Sequence, residues 1–274
     1  MKHRGSSKAS RRYHNRVARR YDTIYDDAYW QFHDRLTWEA IKPHLPTDAA
    51  ARCCDLGCGT GKWGLKLLKS GFPTTFVDHA PAMIERTREK LQEQAARASR
   101  ATLLVADIVD LTALESDQFE LILAMGDPLS ICSDPSRAVR EMRRICRPGG
   151  IVIATVDNQL AAMDYYLQKG DLDGLETLLR SGRTRWLTAD IEEQFELTTF
   201  TPAGFKGLFE RAGFSIVRLS GKTVIPIRQF KEMLQDEAAF DRLMRLETDL
   251  AADPTAAARA AHLQITARKP LKPA

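Results

Sequence analysis

The sequence predicts an α/β protein: a doubly wound, mostly parallel seven-stranded sheet with an N-terminal helical lid and helical insertions. Three observations lead to this prediction. Short apolar segments alternate with helical patterns, a glycine-rich turn directly follows the first strand, and the alternation is interrupted after residue 157. Because strands that alternate with helices form βαβ units, we expect a parallel sheet with helices on both faces.

The predicted strands are short apolar runs that are bounded by turn residues. They cover residues 50–56, 74–77, 102–106, 119–124, 151–156, 214–219 and 263–267. The predicted core helices carry apolar residues at helical spacing. They cover residues 62–70, 81–98, 135–146 and 203–212. Gly71, Pro148 and Gly213 are expected to end three of these helices.

The pattern divides the chain into five parts. These are a basic disordered arm over residues 1–12, a helical lid over 13–46, an α/β core over 47–157, an inserted substrate cap over 158–202, and a C-terminal part of the core over 203–274 with a helical insertion at 221–261. Tyr21, Tyr25 and Trp30 recur at helical spacing in the lid, so we expect them on one face of a helix.

The net charge of +4 is unevenly distributed, because residues 1–20 hold eight Lys and Arg residues and no acid. A disordered, solvated terminus is the favoured interpretation, with a phosphate-tracking arm or an organellar transit peptide as alternatives. No apolar run reaches the about 18 residues that suggest a membrane helix, and the first residues are too polar for a secretory signal. We therefore expect a cytoplasmic protein with no membrane partner.

The five cysteines favour reduced thiols over a disulfide framework, because their number is odd and three of them surround one glycine turn. They are Cys53, Cys54, Cys58, Cys132 and Cys146. No Cys-x-x-Cys pair is present, so no metal site is expected.

A glycine loop, DLGCGTG at residues 55–61, joins the first strand to the following helix. Such turns let a ligand approach the backbone closely, and the following helix offers free N–H groups. A dinucleotide fingerprint would need glycine at position 62, where the chain has Lys62. A phosphate-binding loop would need glycine at position 56 and Ser or Thr at position 63, where the chain has Leu56 and Trp63.

What remains is an acidic residue followed by Gly-x-Gly-x-Gly, which resembles the first motif of class I S-adenosylmethionine (SAM)-dependent methyltransferases. The resemblance covers about residues 50–156 strongly and 203–269 more loosely. It also includes acids at the ends of three successive predicted strands, Asp55, Asp78 and Asp107. Taken alone, Asp78 also fits an NAD site, and Asp107 also fits a helix cap.

The resemblance implies a Rossmann-like methyltransferase fold with SAM as the cofactor. Asp55 is then expected near the methionyl amine, Asp78 on the ribose hydroxyls and Asp107 on the adenine amine. The residues expected to bind the cofactor are Tyr21, Asp55, Gly57, Cys58, Gly59, Thr60, Gly61, Asp78, His79, Asp107, Ile108, Met125 and Gly126.

Two segments bear on the methyl acceptor. Residues 127–130 (DPLS) resemble the Asp/Asn-Pro-Pro-aromatic motif of enzymes that methylate exocyclic amines of DNA bases or protein glutamine, but the second proline and the aromatic are missing. Residues 15–22 resemble the short helix that precedes the core in many small-molecule methyltransferases, including those of quinone biosynthesis. We therefore favour a small-molecule acceptor that is methylated on oxygen or nitrogen. An RNA or protein acceptor and a non-catalytic SAM-binding protein remain alternatives, and nucleic acid is not the favoured partner.

Asp127 is the candidate catalytic residue, with His33 and Glu193 as alternative bases for an acceptor that must lose a proton. A pocket for the acceptor is expected under the lid and the insertions, although ordinary core packing also explains each of its candidate residues. These candidates are Tyr21, Tyr25, Trp30, Tyr165, Tyr166, Trp186, Phe200 and Ile225. The sequence leaves the oligomeric state open.

Overall fold

The computed structural model describes residues 3–185, 194–251 and 253–271. Nine strands are present in these ranges: β1 Cys53–Leu56, β2 Thr74–Asp78, β3 Ala101–Val105, β4 Phe119–Ala124, β5 Cys146–Asp157, β6 Arg183–Arg185, β7 Glu196–Thr198, β8 Ser215–Lys222 and β9 His262–Arg268. No helix in these ranges is both long and apolar enough to cross a lipid bilayer.

The main sheet has seven strands in the order β3-β2-β1-β4-β5-β9-β8. The first five in this order pair in parallel, and β9 is antiparallel to both of its neighbours. The predicted fold class, a mostly parallel seven-stranded sheet, is therefore confirmed. Because β9 is reversed, its first residue, His262, lies beside the last residues of β5 and β8.

Helices cover the sheet and form most of the chain outside it. They are α1 His3–Val17, α2 Tyr21–Ile24, α3 Ala28–Ile41, α4 Lys62–Lys69, α5 Pro81–Gln92, α6 Ala95–Ala98, α7 Pro128–Ile131, α8 Pro135–Ile145, α9 Met163–Lys169, α10 Leu172–Ser181, α11 Pro202–Arg211 and α12 Glu237–Leu250. Short 3-10 segments lie at Ala18–Arg20, Lys42–His44, Leu160–Ala162, Ile227–Gln235 and Ala256–Arg259.

The core has one layer on each face of the sheet, because successive residues of a strand point to opposite faces. On β4, Ile122 packs in the layer that contains Val139 of α8 and Phe205 of α11. Its neighbour Leu121 packs in the other layer with Leu67 of α4. All five side chains are fully buried, and burying each contributes about 1.5–3 kcal/mol.

Helix α1 occupies much of the segment for which the sequence predicts a disordered arm. Ala9, Tyr13 and Val17 recur every four residues and pack with Met83 and Phe195. The basic residues between them are exposed. The prediction of disorder is therefore wrong for residues 3–12, because the high positive charge obscured a one-sided apolar stripe.

Two further segments differ from the prediction. The helix predicted over residues 81–98 is divided into α5 and α6, because Gln94 leaves the helical conformation at φ −127° and ψ 50°. The inserted segment contains a small antiparallel sheet of β6 and β7, which was not predicted. It is joined to the core at Asn158, which bridges to Phe200 and donates from Nδ2 to the Ala260 carbonyl at 2.6 Å.

Candidate active site

A cavity of about 1450 Å³, counting its open mouth, lies at the carboxyl edge of the sheet. Ligands of open α/β sheets bind at this edge, where the loops after the strands converge. Most of the residues that the sequence assigns to the site line this cavity: Tyr21, Gly57, Cys58, Gly59, Thr60, Asp78, His79, Asp107, Ile108, Met125, Gly126 and Asp127.

The glycine loop is shaped by close packing against its neighbours. Gly57 has φ +67°, and a Cβ atom there would lie 2.7 Å from Cβ of Pro128. Gly59 has φ +54°, and a Cβ atom there would meet only the Tyr21 ring within 4 Å, at 3.7 Å. Its N–H donates to Asp78 Oδ2 at 2.9 Å, so the loop is held against the end of β2. The backbone around Gly59 therefore stays accessible from the cavity.

Asp55 and Gly61 do not line the cavity, in contrast to the prediction. The Asp55 carboxylate is fully buried, and its Oδ2 atom accepts a hydrogen bond from the Gly64 N–H at 2.7 Å. Burial raises the pKa of Asp55 to about 7. Gly61 precedes α4 at φ +86°, where a Cβ atom would lie 2.9 Å from Thr87. Both residues therefore help to fix the path from β1 into α4.

The acids that end β2 and follow β3 lie where the sequence predicts. Asp78 Oδ1 accepts from the Ala80 N–H at 2.8 Å, and Asp107 Oδ1 accepts from the Val109 N–H at 3.2 Å. His79 faces His14 of α1, with ring centroids 5.9 Å apart. His14 lines the cavity and was not predicted, because no motif in the helical lid marks it. Burial lowers the pKa of His14, and the nearby Asp78 carboxylate opposes this shift.

Tyr21, Tyr25 and Trp30 form a continuous aromatic row along the cavity. Adjacent ring centroids lie 4.9 and 5.0 Å apart. The three residues do not share one helix, because α2 ends at Ile24 and α3 begins at Ala28. Thr60 Oγ1 donates to Asp22 Oδ1 at 2.5 Å, which connects this row to the glycine loop.

The part of the cavity farther along the sheet is lined by titratable side chains, and we call it the polar chamber. It is formed by Trp30, His33, Asp127, Asp157, Lys222 and His262. Three of these residues lie in one row across the sheet, because His262 pairs with Asp157 of β5 on one side and with Lys222 of β8 on the other. Side chains of directly paired residues lie on the same face of a sheet. The strand pairing therefore brings together a carboxyl group, an imidazole and an ammonium group.

Asp127 enters the polar chamber from a left-handed backbone conformation, at φ 63° and ψ 36°. Such conformations are uncommon outside glycine, and they cluster at functional sites. The N–H groups of Gly126 and Asp127 both donate to Thr155 Oγ1, at 3.1 and 3.2 Å, which stabilises the turn. Asp127 Oδ2 then lies 3.6 Å from His262 Nε2. The Oδ1 atom of Asp127 is buried without a hydrogen-bond partner among the described residues.

Burial shifts the pKa of most groups in the polar chamber toward their neutral forms. It raises the pKa of Asp157 to about 8, with a further contribution from the Asp127 carboxylate. It lowers the pKa of Lys222 to about 8, and it lowers the pKa values of His33 and His262. At neutral pH the imidazoles are therefore uncharged, the Asp157 carboxyl is mostly protonated, and Lys222 is mostly charged.

Asp127, Asp157 and His262 offer donor atoms that all lie within 4.8 Å of one another. In the described part of the chain this is the group whose spacing would suit a metal ion. It was not predicted, because its members are separated by 30 and 105 residues (157 − 127 and 262 − 157) and show no ligand motif.

Other predicted acceptor contacts lie elsewhere. Tyr165, Tyr166, Phe200 and Ile225 do not line the cavity. Trp186 and Glu193 lie outside the described residues. His33, an alternative base, does line the polar chamber, and neither of its ring nitrogens has a hydrogen-bond partner among the described residues.

Comparisons with known proteins agree with this geometry. A family model described as a methyltransferase domain matches residues 53–150. The demethylmenaquinone methyltransferase of Staphylococcus aureus (strain JH9) is 25% identical over 213 residues, which are 76% of this chain and 85% of that protein.

Two solved structures share the fold at low sequence identity. A SAM-dependent methyltransferase from Mesorhizobium loti matches with a TM-score of 0.58 at 19% identity, over 85% of this chain and 97% of its own. The [4+2]-cyclase SpnF matches with a TM-score of 0.55 at 20% identity, over 87% of this chain and 81% of its own. Because a cyclase shares the fold, the fold alone does not decide the reaction.

The family model and the sequence relative add evidence on the class of enzyme, which the fold alone does not give. The matched residues 53–150 include the glycine loop and the acids Asp78 and Asp107, which line the cavity at the carboxyl edge. Residues 53–150 therefore match a methyltransferase domain, and the chain is similar to the class I SAM-dependent methyltransferases, enzymes whose cofactor is S-adenosylmethionine.

Proposed function

We propose that this chain transfers the methyl group of S-adenosylmethionine to an oxygen or nitrogen atom of a small-molecule acceptor. The observation that carries this proposal is the continuity of the cavity, which extends from the glycine loop to the polar chamber beneath the aromatic row. A cofactor in the first part and an acceptor in the second would meet inside the protein.

The cofactor would occupy the part around the glycine loop. Asp78 is the proposed contact of the ribose hydroxyls. Its two oxygens each accept one backbone N–H and keep a further lone pair for a hydroxyl donor. Asp107 is the proposed contact of the adenine amine, and the open backbone at Gly59 suits the methionine part. We assign Asp55 a positioning role through Gly64 in place of the contact that the family resemblance implies.

When bound, S-adenosylmethionine supplies an electrophilic methyl group on a sulfonium that is a good leaving group. The protein then needs mainly to orient the acceptor and to exclude water. Tyr21, Tyr25 and Trp30 are the proposed shield, since aromatic faces attract cations and the row lines the cavity. Asp127 and His262 face each other at 3.6 Å, so we propose that they handle the acceptor proton as a pair.

Two features support a small molecule over a polymer. The polar chamber is lined by buried and half-buried residues, and Lys222 is 6% exposed. The relative from Staphylococcus aureus is named for a small-molecule substrate, demethylmenaquinone. The basic face of α1 is the feature that would favour RNA, but no aromatic residue follows Pro128 to stack on an extruded base.

Transfer of labelled methyl groups tests this proposal. The full-length protein is incubated with methyl-labelled S-adenosylmethionine and with separate cellular fractions of metabolites, RNA and protein. We expect label in the metabolite fraction, and we expect Asp78→Asn to reduce it. Asp110→Asn is the matched control, because Asp110 is an exposed acid that does not line the cavity. Label confined to RNA or protein would contradict the proposal, and cofactor binding without transfer to any fraction would indicate a non-catalytic protein.

A further inference from the structure

We propose that the polar chamber binds an acceptor with a weakly acidic hydroxyl, a phenol or an enol, whose proton passes to His262 and whose oxyanion is held by Lys222. This inference rests on the proposed small-molecule function and names the acceptor class. It concerns two residues that lie outside the segment matched by the family model.

Lys222 is a buried cation with unused hydrogen-bonding capacity. Its side chain is 6% exposed, and its Nζ atom donates to Thr37 Oγ1 at 3.0 Å. An ammonium group has three N–H donors. Among the described residues no carboxylate forms an ion pair with Lys222. Because a buried charge is costly without a counter-ion, an anionic oxygen in the chamber would be stabilised strongly.

His262 is the neighbour of Lys222 that can accept a proton. The two residues are directly paired across β8 and β9. Burial lowers the pKa of His262, so the imidazole is uncharged and has a free lone pair at neutral pH. Asp127 Oδ2 and Asp157 Oδ1 lie 3.6 and 4.0 Å from its Nε2 atom. A protonated His262 would therefore have a carboxylate counter-ion beside it.

The proton transfer separates charge, and the chamber holds a partner for each charge formed. The O–H bond of the acceptor breaks, its electron pair stays on oxygen, and the proton bonds to the imidazole. The imidazolium lies beside Asp127, and the oxyanion lies beside Lys222. That electron pair then forms the new O–C bond to the transferred methyl group, while the electrons of the C–S bond remain on sulfur.

The remaining walls favour a flat acceptor. His33 packs edge-on against both Trp30 and His262, with ring centroids 5.3 and 5.2 Å apart. Burial and the nearby Lys222 hold the pKa of His33 well below its usual range, so this wall carries no charge. Aromatic rings pack well on such uncharged ring surfaces. A protonated amine acceptor would enter beside the Lys222 cation and would be repelled by it.

A metal ion on Asp127, Asp157 and His262 is the main competing explanation of the chamber. A second cation in the chamber would be repelled by the Lys222 ammonium, which lies on the strand next to His262. Lys222 already supplies the positive charge on the other side of His262. We therefore assign the charge-balancing role to Lys222, and the experiment below distinguishes the two.

The test uses 4-nitrophenol as a probe, because its phenol and phenolate forms absorb at different wavelengths. Full-length protein is saturated with S-adenosylhomocysteine, the demethylated cofactor, and titrated with the probe at several pH values. We expect the apparent pKa of the bound probe to fall by about one unit or more. Lys222→Met should abolish this shift and weaken binding roughly 10- to 100-fold. Lys206→Met is the control, because Lys206 lies on the exposed surface of α11.

A second measurement tests His262 separately. Methyl transfer to a series of phenols of increasing acidity is compared between the parent and His262→Asn. The variant should be slowest on the least acidic phenol, and its deficit should shrink as the phenol becomes more acidic, because less help with deprotonation is needed. An equal deficit on every phenol would assign His262 a structural role and overturn its part in the proposal.

Several results would overturn the Lys222 assignment. These are an unchanged probe pKa in Lys222→Met, no binding of 4-nitrophenol despite normal S-adenosylhomocysteine binding, or equal affinity for the neutral amine 4-nitroaniline. Stoichiometric Mn²⁺ binding that is lost in Asp157→Asn, together with transfer that requires the ion, would assign the chamber to a metal. Labelling of amines alone would end this inference while leaving the proposed function intact. Labelling of RNA or protein alone would end both.

Discussion

One lysine is buried at each end of the strands of the main sheet, and the two lysines differ in how completely their ammonium groups are hydrogen-bonded. Lys269, just after the last residue of β9, is 8% exposed and donates to Asp117 Oδ1 at 2.6 Å and to the carbonyls of Arg143 and Cys146 at 2.7 and 2.8 Å. Its three N–H donors therefore have three acceptors, one of which is charged. This is what stability requires of a buried cation.

Lys222 lies at the opposite end and is similarly buried, yet among the described residues its Nζ atom has one acceptor, the neutral Thr37 hydroxyl. Burial lowers its pKa to about 8, which indicates an ammonium group that the fold alone does not stabilise fully. The comparison suggests a general criterion. A buried cation with all donors paired supports the fold, whereas one that faces a cavity with donors to spare supports ligand binding.

The largest expected effect is a loss of stability when Lys269, the lysine with three acceptors, is replaced. Lys269→Met should lower the free energy of unfolding by about 3–5 kcal/mol, because it removes a buried ammonium group that binds two backbone carbonyls and the Asp117 carboxylate. Urea unfolding measures this change. Lys206→Met, at an exposed lysine on α11, should change the free energy by less than about 0.5 kcal/mol. A loss below about 1 kcal/mol in Lys269→Met would show that full pairing does not mark a structural lysine.

The next largest effect is expected in the glycine-loop part of the cavity. Asp78→Asn should weaken cofactor binding by about 1.5–3 kcal/mol, since it removes the charge from the proposed ribose acceptor. Titration calorimetry with S-adenosylmethionine measures the affinity, and Asp110→Asn serves as the control. Equal affinities for Asp78→Asn and the parent would remove Asp78 from the cofactor site.

The pH dependence of methyl transfer tests the roles of Lys222 and His262. The pKa of Lys222 is near 8, so its ammonium is present below that pH and is lost as the pH rises through it. The pKa of His262 is below its usual value, so its free base is lost only on acidification. We expect the rate to fall above about pH 8 and again in acid. A rate that keeps rising above pH 8 would contradict the role of Lys222.

At alkaline pH, the ionisation of Asp157 beside His262 should also lower the rate of methyl transfer. The pKa of Asp157 is also near 8, so its ionisation adds negative charge to the chamber and opposes an anionic acceptor. The charged groups that face Lys222 or His262 are Asp34, Asp127, Asp157 and Arg228. In Lys222→Met, the rate of methyl transfer should still fall at alkaline pH, but only by the part that the ionisation of Asp157 causes.

The smallest effect on cofactor affinity is expected for Asp22, which connects the aromatic row to the glycine loop. Asp22 accepts from Thr60 and pairs with Lys90 at 2.7 Å, but its side chain is 45% exposed, so solvent weakens this pair. Asp22→Asn should weaken cofactor affinity by only about 0.5–1 kcal/mol. Asp26→Asn, at an exposed position, should leave the affinity unchanged.

Tryptophan fluorescence tests the aromatic row as a shield of the cofactor, with the Asp22–Thr60 hydrogen bond intact. Trp30 and Trp63 both line the cavity, so tryptophan emission should change when the cofactor is added, and Trp30→Phe should reduce that change more than Trp63→Phe does. Deleting residues 1–30 should lower cofactor affinity and turnover together while the core stays folded. A truncated protein that unfolds early but binds the cofactor normally would limit these residues to a stabilising role.

The part of the site that the sequence predicts is the part built on parallel strands. Asp78 and Asp107 could be placed because parallel strands end at the same edge, and the glycine loop marks that edge. Asp55 was placed correctly along the chain, but the direction of its side chain, toward the Gly64 N–H, depends on packing that no motif encodes.

The half of the polar chamber formed by Asp157, Lys222 and His262 could not be predicted, because it depends on the reversal of β9. The strand itself was expected over residues 263–267, but its direction and neighbours were not. Reversal brings His262 to the carboxyl edge between Asp157 and Lys222, which are distant in sequence. Residues 3–12 of helix α1 were not predicted as helical for another reason, since their high positive charge favoured a disordered arm, whereas residues 13–17 lie in the predicted helical lid.

The most direct test of this account measures stability and methyl transfer on the same variant, Lys222→Met. The free energy of unfolding of this variant should stay the same or rise by about 1 kcal/mol, because a buried and incompletely paired charge is removed. Its transfer of methyl groups to a phenolic acceptor should fall at least about tenfold. A variant that loses several kcal/mol of stability, or one that transfers methyl groups at the parental rate, would contradict the assignment of this end of the sheet to acceptor binding.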